Sequence, residues 1–276
     1  MPIDPAVAVG ADLGRRELRW DSTDVLLYHL AVGAGPDELG YVYEAALRGV
    51  LPTFATVATT LRDTEPPRVS MPGIDIDLAR VVHGRQELVL HRPIPASGRE
   101  QAGARIAAVY DKGSAAVVVT ETTTALFTSR ISIFAKGEGG FGGDRGPSGR
   151  VPVPARDPDL EVLSRTDPRQ ALWYRLCGDR NPLHIDPVFA AKAGFPRPIL
   201  HGLCTYGMVA KAAVDAALDG DPARVAAYSC RFSGVVFPGE TLRTRIWRED
   251  DRLLLVATVP DRDDAPALSD AVLTFR

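Results

Sequence analysis

The sequence predicts an α+β protein built from two similar halves, each with helical sequence first and antiparallel strands after it. Three observations predict this. The stretch GEGGFGGDRGPSGRVPVPARDPD, residues 137–159, holds 11 Gly or Pro among 23 residues, too many for a helix or a central strand. It reads as a linker between a first half, 1–136, and a second half, 160–276. Each half opens on helical spacing and closes on strand-length apolar runs. Finally, GLCTYGMVAKAAVDAAL, 202–218, sets Leu203, Tyr206, Val209, Ala210, Ala213, Val214 and Ala217 three and four apart. That is a buried helix about which an antiparallel sheet can curl.

In chain order, TDVLLYHLAVGAG and ELGYVYEAALRGVLPTFATVATTL form the helical opening of the first half. ARVVHGRQELVLHRPI, ARIAAVYDK, AAVVVTETTTAL and SRISIFAK follow as strands. In the second half, Asp167-Pro168-Arg169-Gln170 starts a helix: Asp caps, Pro suits the first position and Gln reaches back. The helix carries ALWYRLC and stops near Gly178. A short helical piece, PVFAAKAG, is ended by Gly194, Pro196 and Pro198. After the 202–218 helix come RVAAYSCRFSGVVF, ETLRTRIWRE, RLLLVATV and ALSDAVLTF as strands. The two openings lie over each other as a weak repeat, with Tyr28 on Tyr174 and Gly33 in the place of Asp179.

Composition excludes several classes. Charged residues make up 24% and the net charge is −3, so nothing points to nucleic acid or an anionic membrane as partner. No apolar run is long enough to span a membrane, and the N-terminus lacks a basic region before an apolar core. Three cysteines, Cys177, Cys204 and Cys230, form no CxxC pair and read as buried free thiols, which fits a cytoplasmic setting. The linker contains a literal GxGxxG at Gly137, Gly139 and Gly142, but no helix can open after it, so a dinucleotide fingerprint is rejected.

Chemistry concentrates in GDRNPLHID, residues 178–186. Asp179 and His184 are five apart, which matches neither a helix face nor a strand face. Gly178 permits an unusual backbone angle and Asn181-Pro182 stiffens a bend, so carboxylate and imidazole can aim at one point. Together they can hold and polarise a water, and His suits proton movement near neutral pH. Asn181 can orient either group. His201-Gly202 then opens the long helix, whose first N–H groups lack internal partners, so the Gly202 N–H is a candidate oxyanion donor. Taken singly, Asp179 could be a cap and His184 a core histidine; the combination argues for a site.

The run YRLCGDRNPLHIDPVFAAKAGFPRPILHGL resembles the hydratase 2 signature of the MaoC-like (R)-specific enoyl-CoA hydratases, and VLLYHLAVGAG, HGRQELVLHRPIP and GGFGGDRGPS extend the resemblance along most of the chain. It implies a double hot-dog fold, two antiparallel sheets each wrapped around a long central helix and joined as a pseudo-dimer. It implies Asp179 and His184 as the catalytic pair, Asn181 in support and the Gly202 N–H on the thioester oxygen. The reaction implied is reversible syn addition of water to a trans-2-enoyl-CoA, with no metal or redox cofactor and with CoA as part of the substrate. The unarmed first half would line the acyl tunnel, with His83 at the seam. Arg180, Arg197, Lys192 and Arg145 are the cations available to CoA phosphates, Arg180 and Arg197 the preferred pair. A homodimer is implied by resemblance. The competing classes are a hot-dog acyl-CoA thioesterase and a non-catalytic acyl-CoA-binding subunit.

Overall fold

The computed structural model describes residues 3–147 and 149–276. Its first-half strands are β1 Asp12–Trp20, β2 Val69–Met71, β3 Ile74–Ile76, β4 Val81–Leu90, β5 Gly98–Asp111, β6 Ala115–Thr123 and β7 Phe127–Lys136. The second half supplies β8 Leu160–Arg165, β9 Val225–Phe232, β10 Thr241–Arg248, β11 Arg252–Val259 and β12 Ala265–Phe275. Strands β2 and β3 form a separate small hairpin. The other ten make one antiparallel sheet in the order β1-β5-β6-β7-β4-β9-β12-β11-β10-β8.

Read outward from its middle, that order is the same in both halves, so the topology is duplicated. The seam is the antiparallel pair β4–β9, with Leu88 opposite Tyr228. Each strand would otherwise leave a ladder edge open, and pairing removes both edges. The two sheets anticipated from the sequence are therefore one continuous sheet.

The helix Gly202–Ala217 is buried along most of its length against β8, β9, β10 and β12. Its first-half counterpart departs from expectation: there is no long central helix there, only Ala55–Ala58 after a 3₁₀ turn, Pro52–Phe54. The reason is local. The hydroxyls of Thr56, Thr59 and Thr60 bond back to the carbonyls of Thr53, Thr56 and Val57. Such bonds compete with the helix ladder, and Pro66-Pro67 bars its resumption. The space left open becomes part of the cavity described below.

Helix Ser22–Ala31 starts at a reciprocal Asp21–Asp24 capping box. Its repeat partner, Gln170–Tyr174, continues as a 3₁₀ turn to Cys177. Gln170 accepts from the Asp167 N–H at 2.9 Å, as anticipated, and also donates to the Ala31 carbonyl across the two halves at 2.6 Å. Tyr28 and Tyr174 are both fully buried with ring centroids 6.2 Å apart. The repeat register shifts by one, however. Gly33 has φ +91° and closes its helix as Gly178, φ +112°, closes the other, so Gly33 matches Gly178 rather than Asp179.

The linker lies against the first half at its start and against the second half at its end, where Asp270 accepts from the Val151 N–H and Trp247 donates to the Arg156 carbonyl. The Asp111 carboxylate accepts from the N–H groups of Gly140, Gly113 and Gly142 at 2.7–2.9 Å, and these bonds hold its carboxyl below the usual range. The GxGxxG thus gives its N–H of Gly142 to an internal carboxylate, and no helix follows.

Candidate active site

Gly178 ends the 3₁₀ turn in a backbone conformation that side chains disfavour, and a Cβ there would lie 1.9 Å from the Thr60 carbonyl oxygen. First-half backbone therefore presses directly on the turn that presents Asp179. Two residues on, Asn181 has extended backbone and its side chain accepts from the Leu183 N–H at 3.0 Å. This caps a single 3₁₀ turn, Pro182–His184, in which Pro supplies the first position. The Asn181 N–H also donates to the Asp179 carboxylate at 3.2 Å. Asn181 is thus a brace between the two groups: its side chain shapes the His184 turn and its backbone holds Asp179.

His184 is buried, and its Nδ1 lies 2.9 Å from the Ile199 carbonyl oxygen. A carbonyl only accepts, so Nδ1 carries the hydrogen and Nε2 is left as an acceptor. Burial pushes the His184 imidazole below its ordinary pKa, against the opposing pull of the Asp179 charge. One side-chain polar atom from each of Asp179, His184 and His201 lies within 4.8 Å of the others. Gly202 follows His201 and begins the long helix, so its N–H is among those without an intrahelical acceptor.

Beside these groups lies a cavity of about 350 Å³, from whose wall His201 is set back. Asp179, Asn181, His184 and Gly202 line one side of it. The apolar part of the wall comes from both halves: Val57 in the truncated helix, Val81 and Val82 from β4 and Ile133 from β7 in the first, and Leu203 and Val235 in the second. His83 lines it too. Its Nε2 bonds the Arg85 carbonyl at 3.0 Å, and burial lowers its pKa to about 4. Its ring lies 4.6 Å from that of Phe232, whose edge in turn covers Gly202.

The cations are less concentrated than the sequence suggested. Arg180 Nε donates to the Asp63 carbonyl at 3.1 Å, and Asp63 lines the cavity. Arg197 is exposed, stacks on the Phe237 ring at 4.5 Å and does not line the cavity. Lys192 and Arg145 are exposed and also lie off its walls. His29 is fully engaged elsewhere, at the Tyr41 carbonyl and the Leu51 N–H. Sequence reasoning passed over His201, treating it only as the opener of a helix. In the structure its ring stacks on His184 with centroids 3.7 Å apart. The only signal was its place directly before Gly202.

A duplicated sheet wrapped on a helix, with Asp, His and a helix N-terminus at one cavity, places the protein among the double hot-dog dehydratase-like folds. Comparison with known proteins agrees. Residues 18–137 match the MFE-2 hydratase 2 N-terminal domain, and residues 150–258 match the MaoC like domain. The enoyl-CoA hydratase ChsH3 of Mycobacterium tuberculosis is 53% identical over 98% of both chains. The peroxisomal enoyl-CoA hydratase 2 of Arabidopsis thaliana is 39% identical, covering 88% of this chain and 87% of that one. A crystal structure of a MaoC-like dehydratase from Phytophthora capsici superposes with a TM-score of 0.90 at 28% identity, over 99% of this chain and 98% of that one. The chain belongs to the MaoC-like hydratase 2 family.

Proposed function

We propose that this protein is an (R)-specific 2-enoyl-CoA hydratase, a hydro-lyase that adds water reversibly to a trans-2-enoyl-CoA. The observation that carries the reading is the convergence of Asp179, His184 and the Gly202 N–H on one largely apolar cavity. The Gly202 N–H would donate to the thioester carbonyl oxygen, so that C3 becomes electrophilic and negative charge gathers on that oxygen as the bond forms. A water would donate one O–H to the Asp179 carboxylate and the other to His184 Nε2, its lone pair facing C3. As oxygen bonds C3, Nε2 takes the water proton and then delivers it to C2 of the enolate. Asp179 stays ionised and steadies the imidazolium. Both groups act from one face, which gives syn addition; the (R) configuration requires that this be the appropriate face of C3, as the family resemblance implies.

Coenzyme A enters only as part of the substrate. His184 Nδ1 and His201 Nε2 are tied to carbonyls and their rings lie face to face, so the cluster suits a proton relay better than a metal ion. The first half would hold the acyl chain, with His83 on its wall. Arg180 at the mouth and Arg197 further out are the proposed phosphate contacts. No helix of the described residues is long and apolar enough to cross a membrane. Three buried free thiols suit a reducing, cytoplasmic setting. A homodimer is proposed from the fold resemblance, and light scattering tests it.

The deciding experiment follows crotonyl-CoA. Loss of the enoyl absorbance without free thiol, with a product oxidised only by an (R)-specific 3-hydroxyacyl-CoA dehydrogenase, is the expected result. Released thiol would instead mean a thioesterase, and binding without turnover a carrier.

A further inference from the structure

We propose that His201 is a positioning residue of this site: it holds Asp179 and His184 in register through one hydrogen bond and one ring stack. The idea rests on the hydratase reading for its kinetic consequences, though not for its geometry.

His201 touches all three parts of the site. Its Nε2 lies 3.3 Å from the Asp179 carbonyl oxygen, and because that oxygen only accepts, Nε2 must carry the hydrogen. Its ring lies on His184 at 3.7 Å with an interplanar angle of 27°. Its own carbonyl accepts from the N–H groups of Cys204 and Thr205, both at 3.1 Å. Those bonds set the plane of the 201–202 peptide, which is the peptide whose N–H belongs to Gly202. Three separate segments are therefore indexed to one side chain and its backbone: the turn at 178–181, the 3₁₀ turn Pro182–His184 and the helix Gly202–Ala217.

An ordinary structural role explains these contacts poorly. His201 occupies the N-cap position of the long helix but makes no side-chain cap bond. It is 1% exposed, and its Nδ1 has no hydrogen-bond partner among the described residues. Tyr174 packs against the same ring, centroids 4.8 Å apart and tilted by 45°, so the imidazole is held by two neighbouring rings. His184 is thus packed against His201 on one side while its Nδ1 is bonded to the Ile199 carbonyl. Burial, and then the neighbouring His184, push the His201 imidazole well below its ordinary pKa and keep it neutral.

His201→Phe keeps the ring and removes the N–H. His201→Gln keeps an N–H at about the same reach and removes the ring. With crotonyl-CoA we expect kcat of the Phe variant to fall by about 10- to 100-fold, with KM within about threefold of wild type. The Gln variant, which restores the N–H without the stack, should recover part of the loss. A Phe variant of unchanged melting temperature with wild-type kcat, or a Gln variant no better than Phe, would overturn the proposal. Should the Phe variant fail to fold, a folded Gln variant as slow as His184→Gln would overturn it equally. A second readout does not need turnover: ¹⁵N imidazole NMR of the wild-type protein should show His201 as the Nε2–H tautomer, and an Nδ1–H tautomer would overturn the assignment. Failure of wild-type protein to hydrate crotonyl-CoA counts against the hydratase reading, while the tautomer still decides the His201 bond.

Discussion

Gly178→Ala is the sharpest test of how the fold aims Asp179. The added Cβ would start 1.9 Å from the Thr60 carbonyl oxygen and 2.3 Å from the Thr60 carbonyl carbon, where ordinary contact begins near 3.4 Å. Backbone must therefore move by about 1.5 Å, because neither partner is the end of a flexible side chain. The φ of +112° adds conformational strain of about 2 kcal/mol. For a chain of this size that corresponds to a melting temperature lower by roughly 4–8 °C. Asp179 is the next residue, and a displacement of about 1 Å at a reacting group costs on the order of 100-fold in rate. The assays are thermal melting and crotonyl-CoA hydration by the folded protein. We expect kcat to drop by at least about 100-fold, with residual binding of substrate. An alanine variant that melts and turns over like wild type would refute the claim that Thr60 backbone and the Gly178 turn set the carboxylate.

Asp179→Asn and His184→Gln should each cut turnover by about 10²–10⁴-fold without unfolding, checked by circular dichroism and stopped absorbance assays; near-normal activity in either would refute the pairing. Acid should destabilise the protein. Burial first, against the Tyr41 carbonyl bond, lowers His29 to about 4, and burial likewise lowers His83 to about 4, so the unfolded chain takes up protons first. Stability is full above pH ~6.5 and declines as pH falls toward ~4, by roughly 3 kcal/mol from His29 alone. Urea midpoints across that range measure it, and a flat profile would contradict the buried neutral imidazoles. Lys211→Met removes the ammonium that bridges Glu38 and Asp215 beneath Tyr41. Both carboxylates are about one-third exposed and can rehydrate, so the expected cost is about 1–3 kcal/mol, with KM unchanged. Urea unfolding and steady-state kinetics check the two halves of that statement.

The helix Gly202–Ala217 was legible to within a residue, because its apolar steps repeat over four turns. The GDRNPLHID bend was legible for a different reason: Gly178, Asn181 and Pro182 restrict their own backbones whatever surrounds them. Four strands escaped: β2 and β3, the small separate hairpin, and β1 and β8, the edges of the ten-stranded sheet. β1 carries Arg15, Arg16, Glu17 and Arg19, and such charge protects an edge while erasing the apolar signal. The short first-half helix also escaped, since threonines bonding back to their own turn leave a periodic sequence looking helical.

By itself the sequence determined the local devices: a glycine stop, an Asn-Pro bend that separates carboxylate from imidazole, a helix whose first N–H groups are free, and one armed half of a repeat. Only the tertiary structure decided what they meet. The β4–β9 register sets the halves in one sheet, brings His83 beside Phe232 and puts the Thr60 carbonyl under Gly178. The stack of His201 on His184 and the cavity left by the truncated helix also arise there. Backbone restrictions act over a few residues and can be read in order. Contacts between separate elements depend on which edges pair and which side chains fill the space, and no short stretch of sequence carries that information.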